Sequence, residues 1–197
     1  MTGSGRKILS QGDCDSACFL YALANASIAL TEQPAVGNKK WDGLWNKATD
    51  SLLATRPFLR ACTGTAPWDD QNQCLEAIAS KFLTAICKGR LEVKLEELEE
   101  LEELTGFKKD AARERISSLV SETSVVVAAN KYLWFVVVET EGPKWYVACS
   151  AHLNEVGSAY KEDNSPKFNR PYNSFPYPKS KVWETAFIVS RRQRSKS

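Results

Sequence analysis

Gln11-Gly12-Asp13-Cys14-Asp15-Ser16-Ala17-Cys18-Phe19-Leu20-Tyr21-Ala22-Leu23-Ala24-Asn25-Ala26 is the stretch that decides how this chain is read. A glutamine and two aspartates precede a cysteine that opens an apolar helical run. Asp15 or Ser16 suits the cap, because a side-chain oxygen there accepts an orphan amide of the first turn. A thiol at a helix N-terminus meets backbone N–H groups that favour its anionic form. The segment therefore predicts a helix over 16–30 that presents a sulfur nucleophile. Its apolar positions, Phe19, Leu20, Leu23, Ala24, Ala26 and Ile28, are too many for one narrow stripe. That predicts a helix buried on most sides.

Outward from this helix, Pro34 and Gly37 break the chain. Trp41, Leu44, Trp45, Ala48 and Leu52 recur at helical spacing over 41–54. Pro57, Gly64 and Pro67 mark an irregular connection. Asp69 or Asp70 caps a helix over 71–87, with Cys74, Leu75, Ile78, Phe82 and Ile86 along one face. Leu95, Leu98, Leu101 and Leu104 then recur every three residues through a run of glutamates, which predicts a short amphipathic helix ending at Gly106. Asp110 caps a further helix over 111–121.

The character of the chain then changes. Ser124-Val125-Val126-Val127-Ala128-Ala129 reads as a strand, and Trp134-Phe135-Val136-Val137-Val138-Glu139 as a second. Glu141-Gly142-Pro143 turns the chain into a third, Trp145 to Cys149, paired with the second as a hairpin. Residues 157–181, rich in Asn, Ser, Pro and Tyr, read as a long loop. A last strand spans Val182 to Ser190. Helices first and an antiparallel sheet second predict an α+β fold. The expected division is one domain over 1–190 and a basic, flexible tail over 191–197.

The composition agrees with one globular domain holding a substantial core: 197 residues, 43% hydrophobic and 25% charged. A net charge of +2 gives no reason to expect a polyanion partner. The charge is uneven, since residues 92–103 hold seven glutamates and one lysine, while Arg191, Arg192, Arg194 and Lys196 crowd the other end. Both read as solvated surface. The N-terminus shows no signal peptide, and no apolar run approaches the roughly 18 residues of a membrane span. Six cysteines in that setting predict reduced thiols in a cytoplasmic protein. There is one histidine and no Cys-x-x-Cys pair, so neither a metal site nor a cofactor is expected. Gly3-x-Gly5 follows no strand and is not a phosphate loop. No Gly-x-Ser-x-Gly elbow occurs.

Glutamine, cysteine-headed helix, helical half and antiparallel strands, in that order, resemble the papain-like cysteine peptidase superfamily. Gln11-Gly12-Asp13-x-Asp15-x-x-Cys18-x-x-Tyr21-x-x-x-Asn25-Ala26 is similar to a pattern in small bacterial and phage-type members. The resemblance implies a papain-like fold with Cys18 as nucleophile. It implies Gln11 as oxyanion-hole donor beside the Cys18 backbone N–H, with Asp13 and Asp15 shaping the loop and capping the helix. Tyr21 and Asn25 complete the pattern. Cys14 also follows an aspartate, as the nucleophile of bacteriocin-processing peptidases does, but the helix begins beside Cys18.

A thiol nucleophile also needs a base that an acid or amide orients. The superfamily places a histidine at the start of a central strand and an aspartate or asparagine on the next. Here Leu133 stands at the histidine position, and Cys149 or Ser150 at that of the acid. These are two departures at two coupled positions. The alternative base is His152, the only histidine, with Asn154, Glu155, Asp163 and Asn164 as its candidate partners.

Three functions are expected in order. The first is a binding or inhibitory accessory protein of phage or mobile-element type, with a degenerate site and a protein or peptide partner. The second is a thiol hydrolase using Cys18, His152 and Gln11. The third is nucleic-acid association through the tail and the arm 160–181. There Tyr160, Phe168, Tyr172, Phe175 and Tyr177 interleave with Lys161, Lys167, Arg170 and Lys179.

Overall fold

The computed structural model describes residues 18–31, 39–53, 72–98, 109–129, 134–142, 144–149, 175–178 and 185–193. Among the described residues three helices come first: α1 (Cys18–Leu30), α2 (Lys39–Leu53) and α3 (Asn72–Cys87). Strand β1 (Leu91–Glu97) follows, then helix α4 (Lys109–Leu119). The remaining strands are β2 (Ser124–Ala129), β3 (Trp134–Glu141), β4 (Lys144–Ala148), β5 (Phe175–Pro178) and β6 (Thr185–Arg191). They form one six-stranded sheet of order β1-β6-β2-β3-β4-β5. Every neighbouring pair is antiparallel.

Strand alternation sends side chains to two cores. Val125, Val127, Trp134, Val136, Phe187 and Val189 join the core that α1, α2 and α3 cover. Val126, Ala128, Phe135, Val137, Trp145 and Ala186 face the other way, toward Ile116 of α4. The sheet is thus a middle layer, which is why its central strands read as continuous apolar runs. Every residue of α1 but Tyr21 is buried, as the spread of its apolar positions predicts. On α2, Trp41, Ala48 and Leu52 are buried, and on α3, Leu75, Ile78, Phe82 and Ile86. The Trp145 indole donates to the Ser117 hydroxyl at 3.0 Å, tying the sheet to α4.

The turns follow backbone chemistry. Glu141 pairs with Lys144 across the hairpin, and Gly142 between them has φ 52°. A tight hairpin needs a positive φ at its first loop position, which glycine supplies without a Cβ clash. At the end of α3, Lys88 and Gly89 both take positive φ, 52° and 71°. They reverse the chain into β1.

The structure corrects three sequence expectations. The leucine-spaced helix expected to end at Gly106 is replaced where it is described: Leu91–Glu97 is a strand. Leu91, Val93 and Leu95 pack on the helical side, while Glu96 reaches Arg115 of α4 at 2.6 Å. The two-residue alternation of Leu91-Glu92-Val93-Lys94-Leu95-Glu96 prevails over the three-residue leucine spacing because β6 offers it a ladder. Leu101 and Leu104 lie outside the described residues. Secondly, the loop read over 157–181 contains β5, paired with β4 from Lys144↔Pro178 to Val147↔Phe175. Thirdly, Arg191 pairs with Leu91 as the last residue of β6, and its guanidinium Nε donates to the Leu30 carbonyl at 2.7 Å. Arg191 therefore helps cap α1, where the Ser27 carbonyl accepts from both the amide and the hydroxyl of Thr31.

Candidate functional site

Cys18 is the first residue of α1 and is 9% exposed. Phe19, beside it, stacks on Trp134 at 4.8 Å and Phe187 at 5.3 Å, and those two rings lie 5.7 Å apart. This triangle ties the start of α1 to the first residue of β3 and to the middle of β6. Consecutive helical side chains leave the axis about 100° apart. Phe19 aims at the sheet, so Cys18 is turned a quarter-circle away from it. Cys18, Tyr21 and Asn25 fall at i, i+3 and i+7 and share one stripe. Tyr21 stacks on Trp45 of α2 at 4.8 Å, and Trp45 meets Phe82 of α3 edge-on at 5.6 Å. Asn25 is fully buried.

The corner that the start of β3 and the end of β4 form is where the resemblance asks for a histidine and its acid. The residues facing α1 there are Trp134 and Ala148. Cys149 packs in the other core, with Phe135, Val147 and Ala186, on the far side of the sheet from α1. The acid position read at Cys149 thus faces away from α1. Strand parity is the physical reason, because a one-residue step reverses the face. Among the described residues the buried polar side chains are Asn25, Ser27, Thr31 and Thr185, none of which is a base. The Tyr146 hydroxyl, also near the helical side, donates to the Glu141 carboxylate at 2.6 Å.

Of the expected site, Cys18, Tyr21 and Asn25 come together on one helix, and Cys149 stands apart. Gln11, Asp13, Cys14, Asp15, Leu133, Ser150, His152, Asn154, Glu155, Asp163 and Asn164 lie outside the described residues. So do residues 194–197 and the 160–181 arm except β5. Sequence reasoning missed Trp134 as the residue turned to α1. Counting back by two from Val136 would have found it. It also missed the Tyr21–Trp45 stack, which joins two helices that no local pattern connects.

Cys18, Cys87 and Cys149 are all buried. Among the described residues no three His, Cys, Asp or Glu side chains gather as metal ligands. No described helix is long and apolar enough to cross a membrane.

No family model matches the chain, and no curated protein matches it. Among solved structures it is similar to a double-glycine-motif protease from an AMS/PCAT transporter, crystallised with the leader peptide. The identity is 12%, each chain is covered over 97%, and the TM-score is 0.39. At so low a score and identity, this likeness by itself assigns neither fold nor activity.

Proposed function

We infer that this chain is a papain-like cysteine-peptidase fold whose base and orienting acid are lost, and that it works by binding a protein or peptide rather than cleaving one. One observation carries the reading: Trp134 and Ala148 face α1 at the described ends of β3 and β4. An indole packed on Phe19 and a methyl group cannot take a proton from a thiol. The helix start that would have carried the nucleophile remains, with Cys18 at its head. In this reading Gln11, Asp13 and Asp15 shape the partner-binding loop instead of an oxyanion hole.

The helix-start position of Cys18 also suits the competing hydrolase, in which His152 is the base and Gln11 the oxyanion donor. Alkylation by iodoacetamide, followed thiol by thiol with mass spectrometry, separates the two. The measurement is made near pH 6, well below the ordinary thiol pKa of about 8.5. The binding reading expects slow alkylation of Cys18, unchanged by His152→Ala, because a thiol buried among apolar side chains is inert. Fast alkylation at that pH, lost in His152→Ala, reveals a thiolate–imidazolium pair and overturns it.

A further inference from the structure

Among the described residues, strand β1 lies at one end of the sheet order, with β6 as its neighbour. The direction of its free backbone groups can be derived. The Arg191 amide bonds to the Thr123 carbonyl, and so points away from β1. Arg191 is opposite Leu91, which makes that pair one that exchanges no ladder bonds. The Arg192 amide bonds instead to the Arg90 carbonyl, as the alternation requires. Leu91, Val93 and Leu95 therefore direct their N–H and C=O groups outward from the sheet. One of these amides is occupied: Leu95 N–H donates to the Glu76 carboxylate of α3 at 2.8 Å.

We propose that β1 is a docking edge for a second copy of this chain, paired antiparallel about Val93, with Glu76 as the latch that must leave Leu95. The charge pattern selects both the occupant and the register. Centred on Val93, the pairing sets Leu91 opposite Leu95, Glu92 opposite Lys94 and Arg90 opposite Glu96 of the other copy. Arg90, Glu92, Lys94 and Glu96 then each meet the opposite sign, twice over by symmetry, while Glu97 falls opposite Gly89. Moving the centre to Glu92 sets Glu92 against Glu92 and Lys94 against Arg90. Moving it to Lys94 sets Lys94 against Lys94 and Glu92 against Glu96. Both neighbouring registers are thus repelled. Glu92 and Lys94 are exposed, Val93 and Leu95 are half-buried, and Leu91 is buried, so its outward groups join the pairing only once uncovered. In the Val93 register the outward groups of Leu91, Val93 and Leu95 fall opposite one another as bonded pairs, so the two sheets join into one. An edge contact alone buries little area, which makes the dimer weak. Glu76 keeps it weaker by holding one of the amides the pairing needs, as natural edges are guarded.

The test is sedimentation of the full chain over a concentration series, with hydrogen exchange of the Val93 amide read on the same samples. In the wild type, Val93 protection is expected to rise with protein concentration. Glu76→Ala is expected to tighten association about tenfold, the worth of a charged hydrogen bond no longer competing. Lys94→Glu, at an exposed site, is expected to return Glu76→Ala to monomer. Adding Glu92→Lys, which restores opposite signs across the two-fold, is expected to recover the dimer. A Glu76→Ala chain that melts cooperatively yet stays monomeric overturns the proposal. So does self-association that ignores Lys94→Glu, or a Val93 amide whose exchange is the same at every concentration in the wild type.

Discussion

β1 and β2 flank the same strand, β6, and are built in opposite ways. β2 has β3 on its other side and a covered core above and below, so Val125 through Ala129 are all buried. β1 has one neighbour in the sheet and one packed face, and of its residues only Leu91 is buried. The difference teaches that this sheet is specified from its middle outward. β2 needs only apolar volume. β1 rests on alternation, and is touched at its rim by Arg115 of α4, through Glu96, and by the Glu76 carboxylate of α3.

The most severe way to break this contrast is to put the same charge into both strands. Val127→Asp buries an unpaired carboxylate in the middle of the sheet, at a cost of about 5 kcal/mol. Val93→Asp, on the half-buried edge, is expected to cost about 1 kcal/mol. Urea midpoints of the two variants measure the gap, and equal losses would show that β1 is as central to stability as β2. Next comes Phe19→Ala, which empties the ring triangle over β3 and β6 and is expected to cost about 4 kcal/mol by the same assay. Arg191→Met keeps the stem but drops the bond to the Leu30 carbonyl, at about 1.5 kcal/mol. Its hydrogen-exchange signature is faster opening of the last turn of α1 and of the β1–β6 ladder together. The smallest effect belongs to Glu96 and Arg115. Arg115 is half exposed, so a double-mutant cycle should return a coupling of about 0.5 kcal/mol that fades in salt.

The same contrast governs how much of the molecule was legible. β2 is visible in the sequence because burial on both faces leaves an unbroken Val-Val-Val-Ala-Ala run. The β3–β4 hairpin is visible because Gly142 punctuates it. β1 was hidden because its two-residue alternation overlaps a three-residue leucine spacing, and only the neighbour decides between them. β5 was hidden because Pro176 and Pro178 signal a loop, although a proline lacking its N–H is tolerated at the end of a sheet. At the candidate site, the head of α1 was legible from Cys18 and the apolar run behind it. The face of Cys149 was not, since parity depends on register, and the β3–β4 register shifts between Val137 and Glu139.

The position of β6 in the sheet has a consequence for synthesis. It comes later in the chain than every other described element, yet it fills the gap between β1 and β2. Residues 130–184 must be translated after β2 before β6 begins. At about 5–20 residues per second that is a wait of roughly 3–11 s. Throughout it, β1 and β2 stand on the nascent chain with their facing edges open, and the Leu30 carbonyl has no Arg191 to meet. The helical half cannot complete its core on the ribosome ahead of the sheet. A growing chain of this design leaves those edges exposed for seconds, not milliseconds.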